Sequence, residues 1–296
     1  MNKVYRIIEK RKIWFTISLI IIAIGMFFIG TKGLEYGLDF KGGTAVEISI
    51  GEDFQKKDVD SIIKKYSSDF VSNKTDNKSI SIKSANLDSN SVSQIVNALK
   101  KKYKKSNLTN QENIGASIGK EARINAIEAV VIAITAMFIY IVIRFEFTYA
   151  MAAIISLIHN VLIMLSVYAI ARLSIDSSFI AAALTVIGYS INDTIVVFDR
   201  IRENHKYMRR EDPEVIADAS VTQTLARSIN TVITVVITLI AVYIFVPSVR
   251  NFSEPLLVGV ISGCYSSICI ASPCWVLIKK HMSKRKKLKT ATNKAN

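Results

Sequence analysis

Residues 178–198 read SFIAAALTVIGYSINDTIVVF, an apolar run about as long as the roughly 20 residues with which a helix crosses a membrane. Inside this run lies Asp193, a carboxylate that hydrocarbon does not readily tolerate. A charged residue in such a place needs a partner, a proton or a function. The run therefore predicts a membrane span that contains a functional residue.

Five other segments have a similar length and apolar character: 13–30, about 126–143, 149–171, 229–246 and 256–278. Half of all residues are hydrophobic, and the mean hydropathy is +0.32. The first segment is too long for the apolar core of a signal peptide and lacks a following A-x-A site, so we expect it to be retained. The sequence predicts an α-helical polytopic membrane protein with six transmembrane helices, one near the N-terminus and five within 123–279.

Basic residues are concentrated beside three of the spans. They precede the first and follow the fourth and sixth spans: Lys3, Arg6, Lys10, Arg11 and Lys12; Arg200, Arg202, Lys206, Arg209 and Arg210; and the lysine-rich stretch 279–289. All three clusters fall on one side, which the positive-inside rule assigns to the cytoplasm. We expect a cytoplasmic N-terminus (1–12), a basic cytoplasmic tail (280–296) and an extracytoplasmic domain (31–122). The net charge of +14 reflects this topology, and no nucleic-acid-binding module is apparent.

The segment 31–122 shows the alternating and helical patterns of a small folded domain. Its predicted elements are a strand at 44–50, a helix at 55–66, a hairpin formed by DFVSN and SISIK around a turn at 74–78, a helix at 89–103 and a strand near 112–116. This β-α-β-β-α-β order predicts an α+β ferredoxin-like domain between the first two transmembrane helices. The domain contains no His, no Cys and no glycine-rich phosphate loop, which indicates a binding module.

The residue types that support enzymatic chemistry are sparse. The three cysteines, Cys264, Cys269 and Cys274, all lie in the sixth span, and their spacing predicts packing residues rather than a disulfide or a metal site. No HExxH, GxSxG or paired catalytic carboxylates occur. We therefore expect no enzyme activity, no bound metal and no cofactor.

Polar residues surround Asp193 in the fourth span. Tyr189 and Ser190 precede it on the same helical face, and it is flanked by Asn192 and Thr194, so this stripe is expected to face protein or water. Arg227, at the start of the fifth helix, lies at a comparable depth, because the two helices run in opposite directions. An Asp193–Arg227 pair could carry protons or be purely structural, and Arg227 alone could extend to the interface.

Five motifs occur in one order along the chain: GLDFKGGT (37–44), IGASIGKEA (114–122), RFEF (144–147), IGYSINDTIVVFDRIREN (187–204) and QTLARSINT (223–231). In sequence and order they closely resemble the SecF proteins, which are similar in architecture to the resistance-nodulation-division transporters. The resemblance covers the chain apart from the basic tail and much of the outer domain.

The resemblance implies a non-enzymatic subunit of the bacterial cytoplasmic (inner) membrane. SecF proteins pair with SecD and use the proton gradient to draw unfolded preproteins from the SecYEG channel after SecA has pushed them in, with YajC as an associated component. The matching residues, Asp193 and Arg227, are implied to form the proton relay. Two alternatives stay open: a structural subunit that stabilises the translocon without conducting protons, and a small-molecule exporter of the same superfamily.

The sequence also predicts structural roles for several residues outside the proton relay. Gly42 and Gly43 are expected to allow positive φ or a close approach, Gly188 belongs to the fourth-span motif, and Gly259 and Gly263 form a G-x-x-x-G pair for contact with the partner subunit or the fifth helix. Asp176 is expected to cap a helix or mark a proton entrance. Further expectations concern interfacial anchors (Asp199, Arg200 and Arg202) and hydrogen bonds between helices (His159 and Asn160).

Two positions depart from the SecF pattern. Asn160 stands where SecF proteins usually have an aspartate, so a titrating role for the third span is in doubt. Pro247 and Ser248 replace a pair of glycines that is common in the family, which predicts a stiffer loop before the sixth span.

Overall fold

The structure is a computed structural model that describes residues 4–67, 70–76 and 78–295. Ten α-helices are described: α1 (Arg11–Lys32), α2 (Leu38–Lys41), α3 (Lys56–Ile63), α4 (Ser89–Lys102), α5 (Ala116–Arg144), α6 (Phe147–Ala171), α7 (Ser177–Tyr207), α8 (Pro213–Phe245), α9 (Arg250–Ser266) and α10 (Ser272–Ala295). A 3₁₀ turn at Pro247–Val249 precedes α9, and a π-helical turn at Ser267–Ala271 joins α9 to α10.

Six helical rods are long and apolar enough to cross a membrane, namely α1, α5, α6, α7, α8 and the continuous α9–α10 rod. The protein is thus a multi-pass α-helical membrane protein, as predicted. The most apolar windows of α6, α7 and α9–α10 are 56%, 50% and 72% buried within the chain, compared with 11%, 6% and 6% for α1, α5 and α8. The rods α6, α7 and α9–α10 therefore form the centre of the bundle, and α1, α5 and α8 surround them.

The sheet domain consists of four strands and helices α3 and α4. The strands are β1 (Gly43–Ser49), β2 (Val71–Asp76), β3 (Ser79–Ser84) and β4 (Asn107–Ile114), in the order β2-β3-β1-β4 with every neighbouring pair antiparallel. Val46, Ile48, Ile80 and Ile82 alternate into a core shared with α3 and α4. The β-α-β-β-α-β order and the sheet order together confirm the predicted ferredoxin-like domain.

The boundaries of two strands differ from the expectation. The last strand was expected near 112–116, but β4 begins at Asn107, and seven of its eight residues are exposed. A strand exposed on both faces has no alternation between apolar and polar residues, so the sequence did not mark its start. β2 extends to Asp76, into the predicted turn. Asp69 of the predicted hairpin and Lys3 of the first basic cluster lie outside the described residues.

Residues 4–10 and the part of α10 around Lys280 lie at one end of the bundle, which we call the terminal end. There the carboxylate of Asp218 on α8 accepts hydrogen bonds from the backbone N–H groups of Ile7 and Ile8, at 2.8 and 2.9 Å. Lys280 on α10 forms ion pairs with Asp212 and Glu214 at the start of α8. The sheet domain is attached to the opposite end, which we call the domain end.

Candidate functional site

Asp193 lies within α7, in the central part of the bundle, and is only 5% exposed. Its neighbours Ser190 and Thr194 are also buried, and the Thr194 hydroxyl bonds to the Ser267 hydroxyl in the π-helical turn at 2.8 Å. The Oδ2 atom of Asp193 is buried and has no hydrogen-bond partner among the described residues. A buried carboxylate oxygen without a partner is costly, so this atom is poised to take a proton or a new partner.

Arg227 lies on α8, the helix that packs beside α7. It interacts with Asp193 through charge, but no ion pair or hydrogen bond joins the two residues in the described part of the chain. Arg227 is exposed on the surface of the chain, whereas Asp193 is buried. The structure thus brings the two predicted relay residues into the same region without direct contact.

The four polar residues predicted around Asp193 divide between two faces of α7. Ser190 and Thr194 point into the bundle, and Asn192 is exposed on its surface. The hydroxyl of Tyr189 is buried and, within the described ranges, has no hydrogen-bond partner. Tyr189 and Asp193, which carry these two unpartnered atoms, are therefore about one helical turn apart along α7.

Asn160 connects three helices of the centre. Its Nδ2 atom donates to Ser190 Oγ on α7 at 2.6 Å, and its Oδ1 atom accepts from Ser262 Oγ on α9 at 3.1 Å. The expected hydrogen bond between helices is confirmed for Asn160. It is wrong for His159, whose buried ring nitrogens bond to no other helix among the described residues and whose ring lies 6.0 Å from that of Tyr265.

The G-x-x-x-G pair packs against a different helix from the ones we expected. A Cβ atom on Gly259 would lie 2.3 Å from Val186 Cγ2, and one on Gly263 would lie 3.2 Å from Ser190 Cβ. Both contacts are with α7, so the prediction of the partner subunit or the fifth helix is wrong. In contrast, a Cβ atom on Gly188 would meet nothing within 4 Å, so the space at this position is open.

The anchors expected at the end of the fourth span form ion pairs and hydrogen bonds. Arg202 pairs with Asp199 at 2.8 Å, and Arg200 Nε donates to Gln223 Oε1 on α8 at 2.6 Å. At the domain end, Asp176 caps α7, because its Oδ1 atom accepts from the N–H group of Phe179 at 3.0 Å. The predicted cap is therefore confirmed.

The sequence analysis did not single out Asp39. Its Oδ2 atom accepts a hydrogen bond from the backbone N–H group of Ser177, the first residue of α7, at 3.0 Å. The signal available in the sequence was its place inside the GLDFKGGT motif. Gly42 and Gly43 of the same motif have φ values of 79° and 133°, in the region that favours glycine.

One exposed face of the bundle is unusually polar for a membrane span. On α8 the exposed polar side chains are spaced three or four residues apart: Arg227, Asn230, Thr234 and Thr238. The neighbouring helix α7 exposes Asn192. Polar groups at membrane depth are expensive in contact with lipid. The face therefore has the character of a contact surface for another protein. Over the described ranges, no three His, Cys, Asp or Glu side chains are grouped as a metal site requires.

Family models and relatives agree on the class of protein. Residues 94–281 match the model "Protein export membrane protein SecD/SecF, C-terminal", and residues 27–51 match the "SecD/SecF GG Motif". The protein translocase subunit SecF of Sebaldella termitidis is 35% identical over 93% of this chain and 92% of its own length. The protein translocase subunit SecDF of Bacillus subtilis is 36% identical over 92% of this chain but only 38% of its own length.

Similarity to a solved structure indicates the same family. The crystal structure of SecDF, a translocon-associated membrane protein from Thermus thermophilus, superposes with a TM-score of 0.81 and 28% identity. The match covers 94% of this chain and 39% of that longer chain, so this chain corresponds to about two fifths of the SecDF structure. The chain belongs to the SecD/SecF family of protein export membrane proteins, and relatives such as that of Sebaldella termitidis, which it matches over most of their length, are named protein translocase subunit SecF.

Proposed function

We propose that this chain works with a SecD-type partner to use the proton-motive force in moving preproteins across the bacterial inner membrane. The observation that carries this proposal is Asp193: a carboxylate 5% exposed, inside a membrane-spanning helix, with one oxygen atom that has no hydrogen-bond partner among the described residues. A carboxylate that was only structural would be expected to have both oxygens paired. Asp193 instead has an oxygen free to exchange a proton.

Arg227 supplies the second half of the relay. When Asp193 is ionised, the guanidinium of Arg227 attracts it across the contact between α7 and α8. When Asp193 is protonated, that attraction is lost, and the two helices can change their relative position. Because the residues are not already joined by an ion pair, a small movement of α8 can make or break the interaction.

The SecD-type partner is expected against the polar face of α7 and α8. Arg227 and Asn230 of α8 and Asn192 of α7 are exposed there, and a second polar helix would satisfy groups that lipid would not. The hydroxyls of Thr234 and Thr238 already donate to backbone carbonyls of α8. Another carboxylate from this partner could then reach Arg227. SecYEG, SecA and YajC are expected to associate with the pair, and the proton gradient serves as the energy source in place of a cofactor.

Basic residues favour one orientation in the membrane. Arg6, Lys10, Arg200 and Lys279 lie near the terminal end, and the positive-inside rule assigns that end to the cytoplasm. The sheet domain then lies outside, where an emerging preprotein would be available. The domain is proposed to contact the preprotein, and the bundle to supply the movement, so the chain acts without enzyme chemistry.

The substitution Asp193→Asn tests the proposal. It keeps the size of the side chain and removes its charge, so we expect loss of most proton-gradient-dependent export in inverted membrane vesicles that contain the partner. The matched control is Asp199→Asn, the same change on the same helix, at a residue whose side chain is 41% exposed and paired with Arg202. We expect the control to export at close to the normal rate.

Two outcomes would reject a motor role for Asp193. One is normal gradient-dependent export by Asp193→Asn, which would favour a structural subunit. The other is an equal loss in both variants with a reduced amount of assembled complex, which would indicate a defect in folding. Quantifying the complex in the same vesicles separates loss of function from loss of protein.

A further inference from the structure

A short segment ties the sheet domain to the bundle at the domain end. This linking segment (residues 33–42) leaves α1, contains α2 and enters β1 at Gly43. It forms a parallel bridge with the loop between α6 and α7: the N–H group of Gly37 donates to the Ile175 carbonyl at 2.8 Å, and the N–H group of Ile175 donates to the Glu35 carbonyl at 2.7 Å. Arg172 donates to the Gly33 carbonyl at 2.9 Å and pairs with Glu35.

Two carboxylates meet at the N-terminus of α7. Asp176 caps the helix through Phe179, and Asp39 of the linking segment binds the N–H group of Ser177. A helix N-terminus carries partial positive charge and free N–H groups, so it can hold both carboxylates. Asn251 of α9 donates to the second oxygen atom of Asp176 at 3.2 Å. The N–H groups at this helix end thus bind Asp176 and Asp39, and Asn251 of α9 holds the Asp176 carboxylate in turn.

The contact between the linking segment and the N-terminus of α7, which we call the joint, is closely packed. A Cβ atom on Gly37 would lie 2.8 Å from Asp176 Cβ, and one on Gly119 of α5 would lie 2.9 Å from the Phe40 carbonyl oxygen. Phe40 itself is 4% exposed and packs with Phe179 in the core at the domain end. A shift of the linking segment therefore displaces the first turn of α7. A cavity of about 180 Å³ lies beside this contact and is lined in part by Asp176 and Lys83.

The same helix carries both the joint and the proton site. Ser177 begins α7, and Asp193 lies sixteen residues later, about 24 Å along the helix axis. A continuous helix of this length moves largely as one body. A displacement of α7 at Ser177 can therefore also displace Asp193, and a displacement at Asp193 can displace Ser177.

We propose that the linking segment is a releasable latch between the sheet domain and α7, which Asp39 and Asp176 close or open according to their protonation. The role of this latch in export rests on the proposed function. The latch would be the element that couples the proton site to the sheet domain. Its opening and closing can be measured without export.

The charges around the joint give the two carboxylates opposite behaviour. Burial acts to raise the pKa of Asp39, but hydrogen bonds from Ser177 and the charge of Lys83 outweigh it and hold the pKa below the ordinary value. Burial raises the pKa of Asp176, and the nearby Asp39 carboxylate adds to the effect, against the hydrogen bonds from Phe179 and Asn251 and the charge of Lys83. Among the described residues, other titratable or charged groups near the joint include Tyr168, Glu254, Glu35, Lys41, Arg172 and Arg123, whose guanidinium lies over the ring of Tyr36.

These shifts define the pH range in which the latch is closed. Ionised Asp39 stabilises the closed latch, and this contribution is lost as the pH falls through its lowered pKa. Protonated Asp176 also stabilises the closed latch, and this contribution is lost as the pH rises through its raised pKa. Closure is therefore strongest between the two pKa values, and lowering the pH from above the pKa of Asp176 favours the closed state.

Disulfide trapping of the closed latch tests the proposal in the full chain. The double variant Tyr36→Cys/Ile175→Cys places thiols at bridge partners, where strands lie about 5 Å apart, within disulfide range. The three native cysteines are replaced by alanine. The control pair is Glu47→Cys/Asn110→Cys, at Cα partners of β1 and β4 within the sheet domain. Dividing the two cross-linking rates removes the pH dependence of thiol chemistry.

We expect the ratio of the rates to fall severalfold as the pH rises through the titration of Asp176. Adding Asp176→Asn, which is always neutral and still able to cap the helix, should flatten this fall. Adding Asp39→Asn should lower the ratio throughout the range. A ratio that is independent of pH, or a fall that persists unchanged in Asp176→Asn, overturns the protonation-controlled latch.

Export separates failure of the latch from failure of the proposed function. Oxidation of the Tyr36→Cys/Ile175→Cys pair should stop gradient-dependent export, and a reductant should restore it, with no such effect for the control pair. If the oxidised pair exports normally while Asp193→Asn does not, the latch is wrong and the proposed function stands. If neither change affects export, the proposed function fails. Should the cysteine pair prevent assembly, the pH profile of export decides: a profile that Asp39→Asn and Asp176→Asn leave unchanged rejects the latch.

Discussion

The interiors of the sheet domain and of the membrane bundle are filled by different kinds of side chain. The core of the sheet domain is mainly aliphatic, and seven of its aliphatic side chains are completely buried: Ile48, Ile50, Val59, Ile63, Ile80, Ile82 and Leu99. Between α6, α7 and α9, the buried residues include many small polar ones: Ser156, Asn160, Ser190, Thr194, Ser262, Ser266 and Ser267. The two regions of this chain are therefore packed in different ways, one with large aliphatic side chains and the other with many small polar ones.

The solvent around each region explains the difference. In water, burial of apolar surface is the main driving force, so the sheet domain gains most from large aliphatic residues. In a membrane, lipid is as apolar as leucine, and helices gain from close approach and from hydrogen bonds between them. Gly259 and Gly263 bring α9 against α7, and Asn160 bonds both helices. The comparison predicts different costs for substitutions in the two regions.

The largest effect is expected in the sheet domain. Ile48→Ala removes a fully buried side chain and should cost about 2–5 kcal/mol, a large part of the stability of a domain of this size. We expect the domain to become protease-sensitive in the full-length membrane protein. The matched control is Val71→Ala on β2, where the side chain is 62% exposed and the cost should stay within about 0.5 kcal/mol. Equal protease resistance of the two variants would contradict an aliphatic core as the basis of this domain.

The same difference in packing explains how accurately the sequence predicted each region. TAVEISI alternates because one face of β1 is buried, so this strand was located to within one residue. β4 was misplaced because both of its faces are exposed. The membrane spans were located by length and hydropathy, and those signals describe each helix separately. They could not specify that G-x-x-x-G packs on α7, which depends on how the helices assemble.

For the candidate site too, the sequence predicted positions within each helix but not the contacts between helices. The depth of Asp193 follows from its position along α7, and its burial agrees with the polar residues beside it. Its distance from Arg227 depends on the rotation of α7 and α8 about their axes, which the spacing of residues within each helix does not specify. Asp39 was overlooked because its partner, the N–H group of Ser177, is remote in sequence and has no side-chain signature.

A smaller effect is expected where α9 approaches α7. In Gly259→Ala the new methyl group would lie 2.3 Å from Val186 Cγ2 and 3.0 Å from Met164 Sδ, so the helices must separate at a cost of about 1–3 kcal/mol. Thermal unfolding of the purified chain in detergent measures the loss. Gly188→Ala, with open space at its Cβ position, is the control and should not destabilise. Because the clash is with Val186, adding Val186→Ala should recover part of the lost stability, and no recovery would place the strain elsewhere.

The smallest effect is expected at the hydrogen bonds of the bundle. Asn160→Leu removes the bonds to Ser190 and Ser262, yet hydrogen bonds between membrane helices are worth only about 0.6 kcal/mol on average, because an unfolded helix in the membrane also finds partners. We expect a loss of about 1 kcal/mol in the same unfolding assay, compared with Asn230→Leu on the exposed face of α8. A loss as large as that of Ile48→Ala would mean that polar contacts dominate this interior. No difference from Asn230→Leu would mean that the close approach of the backbones, rather than these hydrogen bonds, holds α6, α7 and α9 together.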